Sequence, residues 1–452
     1  MELSIREVVT ACRGRLICGD DEVVISGVST DTRTIEPGML FIPIRGENFD
    51  GHKFIDKAIE NGAAAVLTEL GGEYSVPAVR VEDTRRAMGR LASYYLNKLN
   101  IPTVAITGSV GKTTTKDMVA SVLAKRYNVY KTQGNLNNDI GVPLTVFALK
   151  PYHTAAVIEM GMNHFGEISY LTSIVKPDVA LITNVGVSHI ENLGSREGIL
   201  KAKCEIFEGL KPEGTAIVNG DDDMLSTLRG SLKGLVMFGT NTSLDWYADN
   251  IRERGLEGID CTIHGNGSSV CFDVSISVPG RHMVLNALAA AAAGYALGMS
   301  AEEIKAGIED FKPTKMRMDI IHSGDLTIIN DAYNSNPVSA MAAVDVLAAE
   351  EGVRCAVLGD MFELGSFAPK LHYELGEYTA KKGIDIIVAV GELSRELYEG
   401  AKQVRNKNVY YFKTQEEFLE NIDSIIRGKM TVLVKASRGM KFEKTTEKLR
   451  GE

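Results

Sequence analysis

Apolar positions along the chain follow two periods, and the places where one gives way to the other mark its segments. Up to about residue 98, β-type runs at 23–28, 40–44, 64–67 and 78–81 are interleaved with apolar spacings of helical period at 54–61 and Thr84–Leu99, predicting a small α/β unit. After Pro102, runs at Thr103–Thr107, Ala155–Glu159, 179–184 and Thr215–Asn219 alternate with helical stretches. That alternation predicts a mostly parallel sheet wrapped on both faces by helices, with ligands gathered at the carboxyl ends of its strands. Residues 234–279, rich in Thr, Ser, Val and Gly, read as a β-rich insertion. The alanine-rich tract 283–299 contains Asn286 and falls short of the ~20 residues that span a bilayer, so it reads as a buried helix. A further open α/β unit is predicted from about Pro313, with strands at 327–330, 355–358, Ile386–Val390 and 432–435. The pattern gives an α/β protein of three domains, 1–98, 99–313 and 314–452, without fixed-period repeats or low-complexity segments.

Bulk properties narrow the picture. A chain of 452 residues, 44% hydrophobic, is long enough for about three domains of ~150 residues. Its net charge of −10, with no basic run, argues against general nucleic-acid binding, so a polyanionic ligand must be met locally. Glu2, Arg6, Glu7, Arg13 and Arg15 interrupt any apolar core of a leader peptide in residues 1–16. A cytoplasmic protein without membrane insertion is expected. Six cysteines with no C-x-x-C pair suggest neither a zinc site nor a disulfide framework.

The chemistry concentrates first at IPTVAITGSVGKTTT, residues 101–115. An apolar strand runs into Thr107-Gly108-Ser109-Val110-Gly111-Lys112-Thr113 and then into a helix. Gly108 and Gly111 let backbone approach oxygens closely, N–H groups and the positive helix end face an anion, Lys112 neutralises charge, and the Thr113 hydroxyl can ligate magnesium. Ile106 stands where the usual phosphate loop has its first glycine, leaving the narrower pattern T-G-x-x-G-K-T.

Other residues carry weaker signals. Glu159 ends a strand beside the presumed loop, where a carboxylate either holds Mg2+ or caps a helix. His189 lies near the end of the next strand; a lone histidine usually packs or faces solvent. Lys201 and Lys203 read ordinarily as solvated helix lysines. The amide-dense run with Asn135, Asn137 and Asn138 either makes turns or presents donors and acceptors to a ligand. Ser29-Thr30-Asp31-Thr32-Arg33 and Gly46-Glu47-Asn48-Phe49-Asp50-Gly51-His52 are polar loops suited to a second ligand. Arg317 could reach a phosphate and Asp331 a ribose or an arginine, with an interdomain ion pair and an Asn-Pro turn as the structural alternatives.

Taken together, ITGSVGKTTTK, GNLNNDIGVPLT, EMGMNHFGEI, NVGVSHIENLGS, AKCEIF, RHMVLNALAAAA and DAYNSNP resemble the Mur ligase family over nearly the whole chain. The resemblance implies a central P-loop domain, a small α/β N-terminal domain that binds a UDP-substrate, and a Rossmann-like C-terminal domain for the incoming dipeptide. DAYNSNP and GDMFELG are similar to the members that join D-alanyl-D-alanine to UDP-N-acetylmuramoyl-tripeptide. That implies ATP and Mg2+ as cofactors, an acyl-phosphate intermediate and a monomeric enzyme of peptidoglycan synthesis. By the same resemblance Lys112 and Thr113 hold phosphates and Mg2+, Glu159 and His189 meet metal, and Lys203 is a carbamylated metal ligand. Asn286 and Asp331 contact adenosine and Arg317 lies near the γ-phosphate. Ser29, Asp31, Arg33, Asn48 and His52 grip the UDP-sugar, while Asn135, Asn137, Asn138, Tyr333, Asn334 and Asn336 meet substrate. KASRGMK, residues 435–441, departs from the family's segment there.

Overall fold

In the computed structural model, which describes every residue except 47–48, 188–189, 266, 268 and 452, the apolar runs become strands and the helical periods become helices. Thr103–Thr107, Ala155–Glu159, Thr215–Asn219 and Ile386–Val390 are strands, and Thr84–Leu99 is a helix, over the ranges expected from sequence. Thr103–Thr107 and Ala155–Glu159 are buried at every position. This is the burial of parallel strands covered on both faces, and it explains why they read as continuous apolar runs without alternation. The protein is mixed α/β, with a large, mostly parallel sheet flanked by helices.

The chain gathers into two compact units. The first comprises Met1–Thr107, Arg126–Leu181 and Ala202–Ala216. Its N-terminal sheet runs in the order Arg15–Cys18, Ala78–Arg80, Ala65–Thr68, Met39–Phe41, Gly27–Ser29, antiparallel at the first pairing and parallel thereafter. Ile35, Phe41, Ile55, Ala58 and Val66 fill its core, each fully buried large side chain contributing about 1.5–3 kcal/mol. Asp83 caps the helix Thr84–Leu99 by accepting from Arg86 N, and left-handed Asn100 ends it. In the same unit Thr103–Thr107 pairs in parallel with Ala155–Glu159, which pairs in parallel with Val129–Lys131. Arg15–Cys18 and Val129–Lys131 were not anticipated, being short and only partly buried.

The second unit comprises Gly108–Lys125, Ile182–Lys201 and Ile217–Glu452. The expected β-rich insertion is present as Val236–Gly239, Trp246–Glu253, Ile259–Gly265 and Val270–Ile276, side by side in that order. The alanine-rich tract forms the helix His282–Ala296, apolar around its circumference and accordingly buried. Toward the C-terminus a sheet runs in the order Asp319–Ser323, Leu326–Asn330, Met430–Lys435, Arg354–Gly359, Ile386–Val390, Val409–Phe412. All its pairings are parallel except the first. The sequence pattern placed this sheet's start at residue 327, whereas Asp319–Ser323 precedes it as a partly buried edge that lacks an apolar run. The resulting hairpin sets Asp319 opposite Asn330, bringing the residues just before 319 alongside those just after 330.

Candidate active site

The phosphate loop is held by the protein's own polar groups. Gly111 caps the helix Lys112–Leu123 in the left-handed region, at φ 80°, which a side chain would strain. Gly108 has φ 155°, and a Cβ there would lie 1.9 Å from Thr183 Oγ1. Its lack of a side chain is therefore required by packing before any ligand arrives. Ser109 N donates to Asn184 O at 3.1 Å and Val110 N to Asn184 Oδ1 at 2.8 Å. Val110 O accepts from Thr183 Oγ1 at 2.7 Å and from Asn184 Nδ2 at 2.9 Å, while Ser109 Oγ accepts from Gly186 N. Thr183 and Asn184 thus clamp the loop, a role that strand-end position alone did not reveal. Lys112 Nζ donates to Gly108 O at 2.7 Å, folding its charge over a helix start whose partial positive charge already favours phosphate. Thr107, at the end of the preceding strand, is buried and its hydroxyl has no protein partner.

Two more expected residues of the second unit, Asn286 and Arg317, meet the helix that follows this loop. Asn286 Oδ1 accepts from Thr115 Oγ1 at 2.9 Å, tying the alanine-rich helix to the phosphate-loop helix. Arg317 Nη2 donates to Thr113 Oγ1 at 3.1 Å, and its guanidinium lies 4.2 Å from the Tyr333 ring centroid. Asp331 is held by residues at the edge of the C-terminal sheet. Its Oδ2 pairs with buried Lys435 Nζ and its Oδ1 accepts from Met318 N at 3.2 Å. Leu326–Asn330 and Met430–Lys435 are adjacent parallel strands, so their carboxyl ends place that carboxylate and that ammonium together. Lys435 Nζ also donates to Asn334 O at 3.0 Å. Asn336 is a helix cap, accepting from Ser339 N at 2.9 Å with Pro337 starting the helix, and Asn334 Oδ1 accepts from Ser335 N. Ser437 Oγ accepts from Phe362 N at 2.9 Å, linking KASRGMK to GDMFELG.

In the first unit, Glu159 stands at the carboxyl end of its strand, 3% exposed. Its Oε1 accepts from Asn137 Nδ2 at 2.9 Å, and its backbone N–H donates to Thr132 Oγ1. Asn137 and Glu159 are thereby brought together, whereas Asn138 turns its Oδ1 to Gly141 N at 2.8 Å, serving the start of the next helix. Asn135 is exposed. Lys201 is exposed, but Lys203 is 2% exposed, so the reading of both as solvated holds only for Lys201. Among the described residues no group of three or more His, Cys, Asp or Glu is arranged as a metal site. A buried carboxylate such as that of Glu159 is nevertheless a hard oxygen donor of the kind that Mg2+ prefers. Of the remaining expected residues, His189 lies outside the described residues, as does Asn48.

The N-terminal loops of the same unit are ordered by internal bonds. Arg33 grips Asp31 through Nε and Nη2, holding that half-buried carboxyl at about 2. Ser29 Oγ accepts from Asp31 N and is buried. His52 is buried; its Nε2 accepts from Glu69 N at 3.2 Å, so its Nδ1 carries the proton donated to Asp50 Oδ1 at 2.8 Å. That histidine fastens its own loop to Glu69, while Arg33 is exposed on the separate loop 29–33.

Comparison with known proteins accords with this arrangement. Three family models match, described as Mur ligase family, catalytic domain, over residues 24–96; Mur ligase middle domain over 106–294; and Mur ligase, glutamate ligase domain over 316–438. The UDP-N-acetylmuramoyl-tripeptide--D-alanyl-D-alanine ligase of Bacillus subtilis (strain 168) is 40% identical over 95% of this chain and 94% of its own. The enzyme of that name from Escherichia coli (strain K12) is 38% identical over 95% and 94%. Among solved structures, MurF from Acinetobacter baumannii superposes with a TM-score of 0.93 at 34% identity, covering 100% of this chain and 99% of that one. MurF from Thermotoga maritima in complex with ADP gives 0.84 at 27% identity, covering 94% and 97%. With three matching models in family order and relatives of this similarity along its length, the chain belongs to the Mur ligase family.

Proposed function

We propose that the chain is the ATP-dependent, amide-bond-forming ligase that joins D-alanyl-D-alanine to UDP-N-acetylmuramoyl-tripeptide, releasing ADP and phosphate and giving the pentapeptide precursor of peptidoglycan. The observation that carries this reading is full-length identity of 35–40% to several enzymes bearing that name, together with a phosphate loop preset by Asn184 and Thr183. The chemistry requires an inert carboxylate to become an acylating agent. A terminal carboxylate oxygen of the tripeptide attacks the γ-phosphorus as the bond to ADP breaks. The dipeptide amine then attacks the acyl-phosphate carbon, and phosphate leaves as the amide forms. Little covalent work falls to the protein, which positions the groups and neutralises charge.

Within that scheme Lys112, the start of its helix and Arg317 meet the phosphates. Asn286 and Asp331 serve the adenosine, the Asp31–Arg33 loop serves the UDP-sugar, and Asn137 serves the substrate. Metal-binding roles fall to Thr113, Glu159, His189 and Lys203, and bound Mg2+ neutralises phosphate charge. Lys203 contributes as a carbamate: its amine adds to CO2, a proton leaves, and a buried cation becomes an oxygen donor. Domain borders at 98 and 313, a cytoplasmic location and a monomeric state complete the proposal. Among the described residues no helix is long and apolar enough to cross a membrane, in keeping with that location.

The test is isotope tracing. With 18O in the tripeptide carboxyl, ATP and D-alanyl-D-alanine, one labelled oxygen is expected in the phosphate released per amide formed. Unlabelled phosphate would rule out carboxylate activation, and ADP release with a single diamino acid and the UDP-dipeptide instead would assign a different member of the family.

A further inference from the structure

Arg317 lies between two methionines with left-handed backbone, Met316 at φ 64° and Met318 at φ 49°. Backbone strain of this kind persists only where the surroundings over-determine it. Here the segment after the neighbouring strand supplies the fasteners. Met318 N donates to Asp331 Oδ1 at 3.2 Å, and Met316 O accepts from Tyr333 N at 3.1 Å. Lys435 holds Asp331 in turn. Met318 is buried and Met316 packs on the C-terminal core, so the turn is pinned by both backbone and side chains. What projects from it is the Arg317 guanidinium, 4.2 Å from the Tyr333 centroid, with Nη2 on Thr113 Oγ1. Its Nε is buried without a polar partner, so the ring and one hydrogen bond at Nη2 fix the plane of the guanidinium.

We propose that Tyr333 is a positioning residue for ATP, acting through Arg317: its ring holds the guanidinium in the plane from which it addresses the phosphate loop. This departs from the expectation that Tyr333 itself meets substrate, and it rests on the reading of Arg317 as a γ-phosphate ligand. A stacked arginine keeps its planar fork directed along one line, and cation–π stacking against a partly desolvated ring is strong enough to select one orientation of the side chain. The phenol hydroxyl has no part in this role.

Steady-state kinetics of Arg317→Ala, Tyr333→Phe, Tyr333→Leu and the double variant Arg317→Ala/Tyr333→Leu test it, with calorimetric binding of a non-hydrolysable ATP analogue. Tyr333→Phe is expected to stay within about twofold of the parent, and Tyr333→Leu to raise the KM for ATP about five- to tenfold. The KM for D-alanyl-D-alanine stays unchanged, and in the Arg317→Ala background Tyr333→Leu costs nothing further. A shift in the dipeptide KM in place of that for ATP, or full additivity with Arg317→Ala, overturns the proposal while leaving Arg317 where it is. If Arg317→Ala itself leaves ATP binding untouched, the reading of Arg317 falls and takes the proposal with it. Should circular dichroism show Tyr333→Leu unfolded, Tyr333→Met, which keeps apolar bulk without a ring, carries the same comparison.

Discussion

At the scale of single residues, burial separates two lysines that the sequence presents as equals. Lys201 is exposed and Lys203 is 2% exposed. The carbamylation proposed for Lys203 removes its buried cation while supplying oxygen ligands. Lys203→Ala is expected to lose turnover, with high bicarbonate unable to restore it and a short carboxylic acid partly able to. Near-parental activity in steady-state assays of Lys203→Ala would remove the carbamate from the scheme. Histidine 372 offers a prediction of another kind. Its Nε2 accepts from Met361 N at 2.9 Å and its Nδ1 donates to Ala368 O at 2.7 Å, a pattern only the neutral ring can make. Burial accordingly pushes its pKa below the ordinary 6.5. Below that pH the unfolded chain takes up a proton that the folded one refuses, so this contribution is whole above 6.5 and is lost as pH falls. The loss approaches about 1.4 kcal/mol per pH unit until the folded pKa is reached. Urea midpoints measured between about pH 7.5 and pH 5.5 should fall less steeply in His372→Gln than in the parent, and an unchanged slope would refute the assignment. The sequence made Lys112, Thr113 and the glycines legible because a phosphate loop is local in the chain. It left Asn184, Lys435 and His372 unread because each has a partner outside its own element, such as Met361 for His372.

Elements were legible in proportion to their burial. Strands with both faces covered, such as Thr103–Thr107 and Ala155–Glu159, are buried at every position, while edges such as Arg15–Cys18 and Asp319–Ser323 carry only two or three consecutive apolar residues beside charged or polar ones. Close helix pairing also escaped notice, because a glycine in a helix does not announce what it faces. The helices Ala368–Lys381 and Ser394–Val404 meet through a reciprocal pair of glycines. A Cβ on Gly376 would stand 1.9 Å from Leu397 O, and one on Gly400 would stand 2.1 Å from Tyr373 O. Alanine is intrinsically the better helix former by roughly 0.5–1 kcal/mol, yet here the opposing backbone would have to move. The close contact is expected to win: Gly400→Ala lowers stability by about 1–3 kcal/mol, read as a fall in the urea midpoint. A midpoint equal to or above the parent's would mean that the two helices can separate without loss.

For the whole molecule, the expected site residues are scattered from Ser29 to Asn336 and divided between the two units, although the reaction proposed for them is single. A net charge of −10 opposes the approach of polyanionic substrates at long range, so binding must rest on local devices such as the start of the phosphate-loop helix, Lys112 and Arg317. Charge can be neutralised piecemeal, but chemistry cannot proceed piecemeal, because the acyl phosphate is useful only if it survives until the amine arrives. A nucleotide switch using the same loop would turn over ATP without regard to any amine. The ligase should do otherwise. Mixed with ATP and UDP-tripeptide but no dipeptide, it is expected to form about one ADP per active site in a rapid burst and then to slow sharply, since the covalent intermediate has no acceptor. Adding D-alanyl-D-alanine should release the block, with further ADP matching the amide formed. Quenched-flow measurement of ADP decides the matter: continuous release at the full rate before the dipeptide is added would show that phosphoryl transfer and amide formation are not coupled in this chain.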